Sequence, residues 1–136
     1  MRFVLDTIAL SALMKGEPRA VARLIACARS DVALPEPVAA EIAFGIARLP
    51  VGKKRSLLQA RFQLFRDELD SVPWTAEVSV RFGDVKAALE KRGTLIEDFD
   101  IAIAAHALAH EATLVTSNGK HFRRIRGLKL EDWTAR

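Results

Sequence analysis

The sequence predicts an α/β domain in which helices cover both faces of a parallel β-sheet. Short apolar runs alternate with helix-length segments along the chain, a pattern typical of parallel strands joined by helical crossovers. The first two runs, residues 3–5 and 32–34, are apolar throughout, as expected of strands buried on both faces. A chain of 136 residues, 50% of them hydrophobic, fits one domain with one core, so we expect residues 1–136 to form a single domain.

Five short segments are predicted to be strands: residues 3–5, 32–34, 71–73, 113–116 and 128–130. The first stops at Asp6. Pro35 and Pro37 close the second, because proline cannot donate to a strand ladder. The fourth precedes Ser117-Asn118-Gly119, which is a turn signal.

Six segments have apolar residues at helical spacing and are predicted to be helices: residues 7–15, 18–30, 38–48, 53–69, 75–92 and 100–110. Pro18 suits a first helical turn, and Gly16 and Gly93 are expected to end the first and fifth helices. In the second helix, Ile25 and Cys27 are predicted to lie in the core.

The chain is basic, with a net charge of +4 and a pI near 9.6. Such an excess favours polyanionic partners, although charge alone also fits a simply solvated surface. The basic residues fall in two clusters: Arg48, Lys53, Lys54, Arg55 and Arg61, and then Lys120, Arg123, Arg124, Arg126 and Lys129.

The single cysteine, Cys27, cannot form an internal disulfide. No apolar stretch approaches the roughly 20 residues that a bilayer-spanning helix needs, and the N-terminus lacks the pattern of a signal peptide. We therefore expect a cytoplasmic protein with no membrane partner.

Three carboxylates, Asp6, Glu41 and Asp100, are set into apolar sequence. Burying a bare carboxylate is costly, so each must have a partner or line a cleft. Asp6 ends the first predicted strand and Asn118 follows the fourth. Because the carboxyl ends of parallel strands meet at one edge, where open α/β sheets bind ligands, we expect these four residues to meet there.

Three carboxylates at one point repel each other, so either their pKa values rise or a cation neutralises them. Oxygen ligands favour hard ions such as Mg²⁺ or Mn²⁺. Such an ion polarises a phosphoryl oxygen and activates water for attack. The sequence offers no convincing Ser-His-Asp or Cys-His arrangement instead.

Structural explanations remain open for each acid. Asp6 and Asp100 would suit helix N-caps, and Glu41 would suit a first helical turn, where the helix dipole favours negative charge. Asp98 competes with Asp100 for both the cap and the ligand role.

His106 and His110 are four residues apart, a spacing that can bind zinc, but no third ligand stands out. A core His106 and a helix-end His110 are the preferred interpretation. Trp74 and Trp133 are expected to anchor chain segments rather than to stack on bases.

Three fragments taken together resemble the PIN-domain toxins of VapBC type: FVLDTIALSALM, AAEIAFGIARLP and DFDIAIAAHALAHEATLVTSNGKHFRRIRGLKLEDW. The resemblance implies a five-stranded parallel sheet in a three-layer α/β/α sandwich, usually as a homodimer. It also implies a Mg²⁺- or Mn²⁺-dependent endoribonuclease that acts as a toxin and is neutralised by a cognate VapB-type antitoxin.

The resemblance assigns the site residue by residue. The family's acids fall on Asp6, Glu41 and Asp100, which are the expected metal ligands and, with Asn118, the expected catalytic residues. Thr7, Thr116 and Asp98 are expected to position these groups or the substrate.

The sequence departs from the family pattern at three positions. Ile8 stands where an Asn often follows the Asp-Thr pair. Asn118 stands where some relatives carry a fourth acid, and His121 stands where an acid often precedes Phe122. The missing charge at Asn118 predicts weak binding of any second metal.

Three other functions compete with this one. A phosphatase of the haloacid dehalogenase kind would need a second Asp two residues after Asp6, where Ile8 stands. A non-catalytic RNA-binding module would use the same acids structurally. A PIN nuclease of RNA processing would have the chemistry without the antitoxin.

Overall fold

A computed structural model describes residues 1–136, and its centre is a five-stranded sheet in which all strands are parallel. The strands are β1 (Phe3–Leu5), β2 (Val32–Pro35), β3 (Asp70–Val72), β4 (Thr113–Val115) and β5 (Lys129–Glu131), in the spatial order β3-β2-β1-β4-β5. The predicted α/β class and five-stranded parallel sheet are thereby confirmed. The two neighbours of β1 are β2 on one side and β4 on the other, with Leu5 opposite Val115.

Seven helices connect and cover the strands: α1 (Thr7–Met14), α2 (Pro18–Ile25), α3 (Glu36–Ala47), α4 (Lys53–Glu68), α5 (Ala76–Lys91), α6 (Asp98–Ala109) and α7 (Gly119–Phe122). A single 3₁₀ turn, Arg29–Asp31, precedes β2. The first six correspond to the predicted helices. The short α7 lies where only a turn was predicted.

The second predicted helix is shorter than expected, and part of its predicted core is wrong. It ends at Ile25, whose side chain is 77% exposed, and Cys27 lies beyond the helix and is half-buried. Successive helical residues are rotated by about 100°, so the face that buries Ala20 turns Ile25 towards solvent.

Two helices begin two residues earlier than predicted. The third begins at Glu36, with Pro37 in its first turn, where proline costs no hydrogen bond. The sixth begins at Asp98. Asp100 therefore lies in the first turn of α6 and is not its N-cap, and Glu41 lies beyond the first turn of α3, the position considered for it from the sequence.

The core is densest around α6, where every residue from 101 to 107 is buried. Phe3 and Trp133 meet edge to face with ring centroids 5.5 Å apart, and the Trp133 indole N–H donates to Glu131 at 3.0 Å. Trp133 thus anchors the C-terminal segment against β1, as expected. No helix has the length and apolar composition needed to span a bilayer.

His106 is fully buried in α6 while His110 is exposed at the end of the helix. The Nδ1 of His106 lies 2.7 Å from the carbonyl oxygen of Ala102, and burial lowers the pKa of His106. Trp74 packs edge-on against its ring. This is a core histidine, and the structure places no set of three metal-ligating side chains around it.

Candidate active site

Asp6 occupies the switch point of the sheet, where the chain leaves β1 between its two neighbours. Its backbone N–H donates to the carbonyl of Val115 at 3.0 Å, which places it beside the end of β4. Thr116, the residue after β4, bonds in turn to Glu131 of β5. Open α/β sheets bind ligands in the crevice outside the carboxyl ends of strands at such a point.

The Asp6 side chain is only 3% exposed and also caps α1. Its Oδ1 accepts a 2.7 Å hydrogen bond from the backbone N–H of Ala9, so the capping explanation is correct for one carboxylate oxygen. The cap holds the carboxylate in one orientation at the strand end. A capping role and a role in chemistry are therefore compatible.

Glu41 is the sixth residue of α3 and turns towards the start of α1. Its Oε1 accepts a 2.5 Å hydrogen bond from the Thr7 hydroxyl. The first-turn acid of α3 is Glu36, so the helix-dipole explanation does not apply to Glu41. Thr7, which was expected to position the acids, directly holds one of them.

Asp100 is the third residue of α6, and Glu97 occupies the N-cap without a side-chain bond. The Oδ2 of Asp100 lies 4.0 Å from the Nδ1 of His121. His121 Nδ1 is also 3.1 Å from the side-chain nitrogen of Asn118. The site predicted from the sequence gave His121 no role, because helix α7 was not predicted. That helix brings His121 to Asp100. The only signal in the sequence was that a histidine stands before Phe122, where relatives often have an acid.

The pKa values show that the three acids lie in each other's electric field. Burial raises the pKa of Asp6 to about 6; hydrogen bonds from Thr116 and Ala9 oppose the rise, and the negative charges of Asp100 and Glu41 add to it. Burial and then the charge of Glu41 raise the pKa of Asp100, while His121 opposes that rise. Residues separated by up to 94 positions in sequence therefore interact at one edge of the sheet.

The three carboxylates are neighbours, but their side chains do not already form a metal-coordination shell. No group of three or more His, Cys, Asp or Glu side chains is arranged to hold an ion. One oxygen of Asp6 is engaged by the helix cap and one of Glu41 by Thr7. The donor chemistry nevertheless fits a hard divalent cation, because three mutually repelling carboxylates, of which Asp6 is buried and the other two are partly buried, are stabilised by positive charge and supply only oxygen ligands.

Asp98 and Asn118 have other contacts. Asp98 is exposed and forms a 3.0 Å ion pair with Lys86 of α5. The Asn118 backbone N–H donates to the Thr116 hydroxyl at 2.9 Å, and its amide contacts His121. Asn118 thus organises the turn that follows Thr116.

Known proteins resemble this chain over almost its whole length. The family model described as PIN domain matches residues 3–128. A protein named Ribonuclease VapC2 from Rickettsia felis is 33% identical over 98% of both chains, and one named tRNA(fMet)-specific endonuclease VapC from Salmonella typhimurium is 26% identical over 98% of both. The crystal structure of VapBC2 from Rickettsia felis bound to a promoter DNA fragment contains a chain that superposes with a TM-score of 0.88 at 31% identity, covering 98% of this chain and 99% of that one.

Proposed function

The chain belongs to the PIN-domain family, and we propose that it is an endoribonuclease, the toxin of a toxin–antitoxin pair, with its reaction centre at Asp6, Glu41 and Asp100. Relatives named as ribonucleases that align with 98% of the chain support the activity. The observation that carries the assignment of the site is the electrostatic coupling of these three acids at the switch point of the sheet.

The proposed cofactor is Mg²⁺ or Mn²⁺, held by Asp6, Glu41 and Asp100. When bound, the ion supplies positive charge that polarises a phosphoryl oxygen and activates a water molecule for hydrolysis. The Ala9 N–H orients the Asp6 carboxylate and the Thr7 hydroxyl orients that of Glu41. Thr116, buried beside Asp6, is placed to orient water or phosphate, and Asn118 holds the Thr116 hydroxyl through its backbone N–H.

The proposed protein partner is a VapB-type antitoxin that covers the acidic site. The support is that structural relatives of this chain were solved as VapBC complexes, including one from Haemophilus influenzae with a TM-score of 0.85 at 26% identity. A homodimer, which the resemblance to VapBC-type toxins implies, and a cytoplasmic location, which the sequence predicts, belong to the same proposal.

The test is cleavage of total RNA by the purified, antitoxin-free chain with Mn²⁺, compared with the Asp6→Asn variant. We expect mapped cuts with the wild type and none with the variant. Asn is as good an N-cap as Asp, so the variant should keep its circular dichroism spectrum and α1. Binding of RNA without cutting by the wild type would instead establish a non-catalytic RNA-binding module.

The toxin assignment has its own test, since a PIN nuclease of RNA processing would cut RNA equally well. We expect a small DNA-binding protein encoded beside this gene to co-purify with the chain and to inhibit cleavage in a one-step titration. Undiminished cleavage with that protein in excess would favour RNA processing.

A further inference from the structure

One large cavity of the molecule is lined by none of the acids of the candidate active site. It has a volume of about 870 Å³ and lies between α5, the C-terminal half of α6 and the chain leading into β5. We call it the basic groove, because five basic side chains line it against two acidic ones: Arg81, Lys91, Arg92, Arg126 and Lys129, with Asp84 and Glu111.

No carboxylate lies within ion-pair distance of the cations of the basic groove, and the five basic side chains outnumber the two acidic ones. None of the five belongs to an ion pair of the structure. Two are held by backbone carbonyls instead: Arg92 donates to Arg124 at 2.5 Å, and Lys129 donates to Glu111 at 3.2 Å. Such contacts position the cationic groups and leave their positive charge available to a ligand.

The chemistry of the basic groove favours a phosphodiester backbone over a protein. The residues that contribute most to protein interfaces are Trp and Tyr as well as Arg, packed in fully desolvated pockets, and no aromatic residue lines this groove. The exposed large hydrophobic residues of this chain all lie elsewhere, and half of the apolar lining of the groove consists of the small residues Ala88, Ala107 and Ala112. Clustered, unpaired cations over a shallow apolar floor instead match a polyanion.

A hydrogen bond joins the lining of the basic groove to that of a second cavity, which lies beside the candidate active site. The backbone carbonyl of Arg124 accepts the hydrogen bond from Arg92. Arg124 lines a smaller cavity of about 510 Å³ together with His121, the neighbour of Asp100. Helix α6 runs from Asp100 at the acids to Leu108 in the groove, a rise of about 12 Å at 1.5 Å per residue. A single strand of nucleic acid can span this distance in a few nucleotides.

We propose that the basic groove is an exosite that holds the sugar–phosphate backbone of single-stranded RNA beyond the cleavage point, with the strand passing Arg124 on its way from the acids. This inference rests on the proposed ribonuclease function for the identity of the polyanion. On this proposal, α5 and the chain before β5 bind the substrate, although they carry none of the three acids of the candidate active site.

The test measures RNA binding without cleavage, in the Asp6→Asn background. Fluorescence anisotropy with a short labelled oligouridylate gives the affinity at several salt concentrations. The groove variant is Arg81→Gln with Lys91→Gln, both exposed and free of side-chain bonds. The control is Lys15→Gln with Arg19→Gln, which removes the same charge from exposed positions outside the groove and the other main cavities.

We expect the groove variant to bind more weakly and to lower the slope of log K against log salt by about 1.4, since each lost contact to a single strand contributes about 0.7. The control should keep the wild-type slope. Equal slopes in groove variant and control would overturn the exosite. So would a groove variant that binds RNA normally but no longer binds its antitoxin or a second copy of the chain.

Cleavage supplies a second readout in the Asp6-containing protein. The groove variant should have a raised KM and an unchanged kcat for long RNA, and normal kinetics on a dinucleotide that cannot reach the groove. Equal losses on both substrates would overturn the proposal. If the chain cuts no RNA at all, the proposed function fails, while the binding experiment still decides whether the groove holds RNA.

Discussion

The Thr7 hydroxyl donates a 2.5 Å hydrogen bond to the Glu41 carboxylate, joining the first residue of α1 to the middle of α3 across 34 positions of sequence. Because Thr7 directly follows Asp6, the bond also fixes the place of Glu41 relative to the acid at the strand end. Two of the three proposed ligands are thereby held by one short segment of chain.

Replacing Thr7 by Val, which keeps the shape and removes the hydroxyl, should release Glu41. We expect kcat for RNA cleavage to fall by about tenfold to a hundredfold, because small misplacements at a reaction centre are costly. The free energy of unfolding should change by only about 1 kcal/mol, the net value of one hydrogen bond. Thr7→Ser is the matched control and should retain most activity; a fully active Thr7→Val protein would contradict the prediction.

The raised pKa of Asp6 predicts how stability depends on pH in the absence of divalent ions. A carboxyl whose pKa is about 6 when folded and 3.8 when unfolded favours the folded state at low pH, and that contribution is lost as the pH rises through 6. Asp6→Asn should therefore stabilise the protein at neutral pH by at most about 3 kcal/mol relative to the wild type, and the difference should shrink towards pH 4. Urea unfolding across this range in EDTA measures it; a difference that does not vary with pH would show that ionisation of the buried Asp6 carboxyl is not its cause.

Removing divalent cations should abolish cleavage, and EDTA followed by add-back of Mn²⁺ is the direct measurement. Binding of the ion to the folded state should also raise Tm at neutral pH in the wild type. The rise should be much smaller in Asp6→Asn, which lacks one negative ligand. Undiminished cleavage in EDTA would exclude the metal mechanism, whatever the thermal result.

Asp98 and Asp100 provide a matched pair of variants on one helical turn. Asp100→Asn should remove most of the activity, because Asp100 is coupled to Glu41 and Asp6. Asp98→Asn should leave activity near that of the wild type and cost no more than about 1 kcal/mol, the usual limit for an exposed ion pair such as that with Lys86. Measuring kcat/KM for both variants distinguishes the two acids. A larger loss of kcat/KM in Asp98→Asn than in Asp100→Asn would make Asp98 the ligand.

The sequence by itself predicted most of the architecture. Five strands and six helices follow from apolar runs, helical spacing and glycine or proline stops, since each depends on neighbours along the chain. Asp6, Glu41 and Asp100 were recognisable for the same reason: a carboxylate inside apolar sequence is conspicuous without coordinates. The inward orientation assigned to Ile25 was wrong because burial depends on the element that covers a face, not on the residue's own polarity.

Only the tertiary structure could decide which polar groups act on one another. The ion pair of Asp98 with Lys86, the approach of His121 to Asp100 and the joining of Arg92 to Arg124 all connect residues from different elements. Their separation in space is set by how helices pack on the sheet, and no local pattern encodes it. The four-residue α7 is the clearest case, because so short a helix has little stability of its own and forms through its buried Phe122.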